Sequence, residues 1–158
     1  MNFTAYEISK EPIEEDAYLT QDSCIDYLDK YGFSHCLDVD SDDRKSDIAH
    51  FPAIFPKGMF TPVGENGFRY NGGFAEWEKS YCDKLKRLAA ALPEEGVLQD
   101  NALYSLKSLI ENPLGDYMFY FGERFPSLYR GDSFMRKLVR NLKVGDIVYI
   151  GGVVYFHY

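Results

Sequence analysis

The clearest periodicity runs from Phe74 to Leu92, where Phe74, Trp77, Tyr81, Leu85, Leu88 and Leu92 recur at steps of three and four. That spacing winds a single apolar stripe along a helix. Glu76 and Glu78 sit early in the stretch and Lys84, Lys86 and Arg87 late, in agreement with the helix dipole, and Pro93 closes it. A second amphipathic helix is expected from about Asp100 to Glu111, burying Leu103, Leu106, Leu109 and Ile110 and ending at Asn112-Pro113. Thr20 or Asp22 is expected to cap a helix reaching Tyr31, with Ile25 and Leu28 inward and Gly32 as its stop. A short helix is expected from Ser41 to His50. A last one, capped by Asp132 or Ser133 and running to Asn141, turns Phe134, Leu138 and Leu142 inward. Strands are expected at Phe3 to Ile8, near Phe68 to Tyr70 and at Asp116 to Phe121. Ser127 to Gly131 reads as loop or short strand.

The end of the chain is the most strand-like part. Residues 147–150 and 153–156 are β-branched or aromatic throughout, and Gly151-Gly152 lies between them. Two glycines suit a tight primed turn, so a hairpin pairing 146–150 with 153–157 is predicted. Val148, Ile150, Val153 and Tyr155 then share one face, and Ile147, Tyr149, Val154 and Phe156 the other. Both faces are apolar, so both should be covered. The same register sets Asp146 opposite His157 as a structural ion pair.

Together these elements predict an α+β fold: a mainly antiparallel sheet packed with about four to five helices. The 158 residues are expected to form a single domain. An acidic third (1–50) leads through an aromatic, Pro/Gly-rich connection (51–73) into the helical and hairpin core (74–158). Three cysteines without paired spacing suggest free thiols in a reducing cytoplasm. No stretch has the length of a membrane span or the pattern of a secretion signal.

Charge changes the picture most. The net charge is −8, yet residues 1–50 hold 13 acids against 4 bases, while residues 51–158 hold 12 against 13. Between Arg124 and Lys143 the balance reverses, with Arg124, Arg130, Arg136, Lys137, Arg140 and Lys143 against Asp132. Such polarity points to an interaction protein, of inhibitor or immunity type. Its acidic surface (Asp38, Asp40, Asp42, Asp43, Asp47) would meet a basic partner, and nearby aromatics would supply burial. Nucleic acid is disfavoured as a partner by a pI near 4.8.

No catalytic signature stands out. Asp38, Asp40 and Asp42 have the spacing of a calcium loop, but Asp43 stands where glycine is needed and Ala49 where the bidentate glutamate belongs. His35, Cys36, His50, Cys24 and Cys82 lack zinc-finger spacing. Neither a metal nor a cofactor is expected. Arg136, Arg140 and Lys143 form a basic stripe at helical steps, and with Arg130 they are the candidates for gripping phosphate.

Leu128-Tyr129-Arg130-Gly131, followed by Leu142-Lys143-Val144-Gly145-Asp146, resembles the opening motif of arginine-type ADP-ribosyltransferases. The resemblance implies an NAD-contacting role for Arg130. The chain departs from that family near 153–156, where a Ser-Thr-Ser strand is wanted, and the family's Glu-x-Glu loop would fall after Tyr158. A nucleotide-binding or degenerate transferase-like domain is thus the alternative to the interaction module.

Overall fold

The structure, a computed structural model, describes residues 2–122 and 126–158. Arg124 of the basic segment lies outside the described residues. The fold is α+β, built on a single seven-stranded, mostly antiparallel sheet. Its strands are β1 (Asn2–Ser9), β2 (His35–Asp38), β3 (Phe60–Val63), β4 (Gly67–Tyr70), β5 (Tyr117–Phe121), β6 (Ser127–Arg130) and β7 (Ile147–His157). The order is β3-β4-β7-β1-β5-β6, with β2 also beside β7, and β1 with β5 is parallel. The helices are α1 (Asp26–Tyr31), α2 (Ser41–His50), α3 (Phe74–Ala90), α4 (Asn101–Glu111) and α5 (Gly131–Lys137). Short 3₁₀ turns at Glu15–Ala17, Gln21–Cys24, Phe51–Ile54, Val97–Gln99 and Val139–Asn141 fill in between them.

The predicted C-terminal hairpin is corrected. Residues 147–157 form one continuous strand at the middle of the sheet, and Gly151-Gly152 is a bulge within it. Ile8 pairs with Ile150 and Tyr6 with Val153, so two glycines on β7 stand opposite Glu7 alone. A two-residue turn and a one-residue bulge shift side-chain parity alike. The predicted faces are therefore right although the turn is not. Val148, Ile150 and Val153 join one buried cluster and Val154 and Phe156 the other.

The glycines are needed because other groups come too close for a side chain. A Cβ on Gly151 would strike the Glu7 carboxylate, and one on Gly152 the backbone of Leu19. The Glu7 carboxylate accepts from Gly152 N–H at 2.7 Å and from Leu19 N–H at 2.8 Å. On the other edge of β7, Arg44 of α2 donates to Gly151 O (2.8 Å) and Ile150 O (3.3 Å) while lying 4.2 Å over the Tyr18 ring. Arg44 closes the gap between β4, which pairs with 147–149, and β2, which pairs with 154–157. The bulge thus has its irregular backbone satisfied by one acid and one base. The Asp146–His157 pair does not form. Asp146 accepts from Lys143 N–H, and His157 stacks on His35 at 4.7 Å.

Two clusters sandwich the sheet. On one face Tyr6, Phe51, Phe55, Phe119, Phe134 and Met135 gather beneath α2, α5 and the base of α3, with Phe119 and Phe134 stacked at 3.7 Å. On the other, the segment carrying the first two 3₁₀ turns and α1 covers Phe3, Ala5, Met118 and Phe156 with Leu19, Cys24 and Phe33. Leu28 packs there as expected, whereas Ile25 is 57% exposed. The predicted helix from Thr20 begins as a 3₁₀ turn, and this rotates Ile25 outward and sets Cys24 inward instead. Gly32, with φ of 73°, ends α1 as expected.

Candidate functional site

The acidic candidates divide by what they touch. Asp40 is the N-cap of α2, accepting from Asp42 N–H (3.0 Å) and Asp43 N–H (2.9 Å). Asp38 accepts from Gln21 N–H at 2.6 Å and ties the second 3₁₀ turn to β2. Asp47 points inward and accepts from the Tyr155 hydroxyl at 2.7 Å, and its backbone carbonyl takes the Tyr6 hydroxyl at 3.1 Å. Burial raises the Asp47 pKa, the Tyr155 hydrogen bond lowers it, and the net direction is upward. The Tyr155 phenol is pushed up in turn by burial and by Asp47. Asp42 and Asp43 are exposed in the first turn of α2. They are the members of the set most available to another molecule.

Around them the acidic third stays open. Glu14, Glu15, Asp16, Asp22, Asp26 and Asp29 are all exposed, and so is Leu37 on β2 at 45%. Strand β2 was not predicted; it pairs with the far end of the chain. Among the described residues the one ion pair is Arg130 with Glu111, at 2.8 Å. No carboxylate of the acidic third lies within ion-pair distance of a described base.

The basic candidates are dispersed more than the sequence suggested. Helix α5 ends at Lys137, and a 3₁₀ turn carries Arg140. Lys143 falls beyond both, so the three-residue helical stripe is corrected to the pair Arg136 and Arg140. The guanidinium of Arg130 is held by Glu111 and lies 5.5 Å over Tyr31. A ligand at Arg130 would share its guanidinium with Glu111, which engages Nη1.

Two adjoining hollows collect these cations. One of about 340 Å³ is bounded by Phe74, Trp77, Tyr81, Met135, Arg136 and Arg140, with Glu78, Ile110 and Asp132 completing it. The next shares Ile110 and Asp132 and adds Tyr31, Lys107, Glu111 and Arg130. The first three residues of the α3 stripe, Phe74, Trp77 and Tyr81, form one wall of the first hollow. In the fold all six of the stripe's residues are only half-buried, and α3 has no fully buried residue. The stripe alone carried no signal that three helices leave a hollow along it.

Thiol chemistry finds no support in these surroundings. Cys24 and Cys36 are buried, and burial pushes the Cys24 thiol up to about 12 and Cys36 upward as well. His50 contacts the Tyr117 hydroxyl at 3.1 Å, while Cys82 is exposed on α3. Among the described residues no three of His, Cys, Asp and Glu gather as metal ligands, and no helix is long and apolar enough to cross a membrane.

Comparison with protein-family models, with curated proteins and with solved structures gave no match.

Proposed function

We propose that this protein is a non-enzymatic interaction module, of inhibitor or immunity type, whose acidic face binds a basic protein partner. The observation that carries the reading is the lack of internal neutralisation. The carboxylates of residues 1–50 form no ion pair among the described residues. The acidic surface, which passes from α1 on one side of the sheet by way of β2, where Asp38 holds Gln21, to the start of α2 on the other, therefore keeps its field, which speeds encounter with a positive surface and orients it. Ile25 stands exposed between Asp22 and Asp26, and Leu37 beside Asp38. Exposed apolar side chains set among charges supply the desolvated contact that holds a complex once steered together.

A pull-down from host lysate at rising salt tests the reading. Retention of a basic partner should fall steeply with ionic strength. It should be lost in the double variant Asp42→Lys/Asp43→Lys, which leaves the α2 cap at Asp40 in place. A partner retained equally at high salt, or unaffected by the double reversal, would remove the acidic face from the account.

A further inference from the structure

The hollow between α3, α4 and α5 has features that the interaction reading does not use. Phe74, Trp77 and Tyr81 form a ladder of rings along α3, with centroids 5.7 Å and 5.1 Å apart and the last two nearly parallel at 10°. The Tyr81 hydroxyl donates to Ile110 O at 3.4 Å, which fixes this wall against α4. Met135 of α5 and Ile110 provide further apolar lining. The volume of about 340 Å³ lies at the small end of ligand sites.

The charges around the hollow are unspent. Arg136 and Arg140 are exposed, and neither has a described carboxylate within 4.0 Å, although Glu78 and Asp132 line the same space. A guanidinium recognises a planar carboxylate through paired N–H donors. An aromatic wall accepts a ring by stacking or edge contact. Two acids against two bases leave the lining neutral overall, and like-charge repulsion from Glu78 and Asp132 penalises a polyanion. We infer that this hollow is a binding site for a small aromatic carboxylate, its ring against Trp77 and Tyr81 and its carboxylate on Arg136 and Arg140.

Trp77 is the only tryptophan in the chain, so its emission reports on the hollow directly. Titration of the intact protein with benzoate at constant ionic strength should change that emission saturably, with half-saturation below about 10 mM. Benzylamine, of like size and opposite charge, should give no saturable change. Phenyl phosphate should bind more weakly than benzoate. The double variant Arg136→Ala/Arg140→Ala removes two exposed side chains; it should keep its unfolding temperature and weaken benzoate by about tenfold or more. Purely linear quenching by benzoate, benzylamine binding as well as benzoate, tighter phenyl phosphate, or undiminished benzoate affinity in the double variant would each overturn the assignment. The first three comparisons use the unaltered protein, so they stand whatever the variant does.

Discussion

The two covers of the sheet are built differently. Beneath α2, α5 and the base of α3, large aromatic rings interlock, Phe51 meeting Phe55, Phe60 and Phe68 within 5.7 Å. The opposite cover is thinner: two 3₁₀ turns and the six-residue α1, held by Leu19, Cys24, Phe33 and the half-buried Tyr27, Leu28 and Tyr31. That thin cover carries Glu14, Glu15, Asp16, Asp22, Asp26 and Asp29 on its outer side. The contrast shows how so acidic a segment folds without an ion pair among the described residues. Its apolar residues, the Glu7 hydrogen bonds and a few rings attach it to the sheet, and its carboxylates stay in water where their mutual repulsion is screened.

The attachment point is the place to break this contrast. Gly152→Ala sets a methyl group against the Leu19 backbone, which cannot move without leaving the Glu7 carboxylate. The expected loss is about 3 kcal/mol, read as a lower urea midpoint. Proteolytic cleavage should appear first between residues 10 and 34. An alanine variant as stable as the parent would mean that the thin cover is not pinned at the bulge.

A smaller effect comes from the carboxylate of the acidic third that is turned toward the thicker cover. Asp47 has its pKa raised in the folded protein, chiefly by burial, so the folded state holds this proton more tightly than the unfolded chain does. Its contribution is fully present below the ordinary aspartate value of about 3.9 and is lost as pH rises through the higher folded value. Asp47→Asn keeps an acceptor for Tyr155 and removes the titration. The parent should lose stability relative to this variant as pH climbs from about 4 into the weakly acidic range, and the gap should stop changing above it. A gap moving the other way would place Asp47 in a setting that favours its charge.

Local patterns made much of this fold legible. The α3 stripe, the α2 span from Ser41 to His50, the β1 alternation and the stop at Gly32 all rest on neighbours within a few residues. Gly151-Gly152 was ambiguous for a physical reason. A turn and a bulge demand the same small residues and give the same inside-outside pattern, and only Glu7 and Leu19, far away in sequence, distinguish them. Strand β2 was hidden because His35–Asp38 is too short to show alternation and pairs with residues 154–157. Of the candidate site residues, the sequence marked the charges. It did not show that Asp38 ties the second 3₁₀ turn to β2, that Arg130 is engaged by Glu111, or that Arg136 and Arg140 share a hollow with an aromatic ladder, since each depends on elements brought together by the sheet.

The most direct test follows backbone amide signals of the labelled protein during titration with a short peptide of alternating lysine and leucine, a minimal basic and apolar partner. Shifts concentrated at Asp22 to Asp29 and Leu37 to Asp43, and abolished by added salt, are the expected result. Shifts centred on α3 and α5, or none at any peptide concentration, would contradict the claim that the acidic face is the surface this protein offers to a partner.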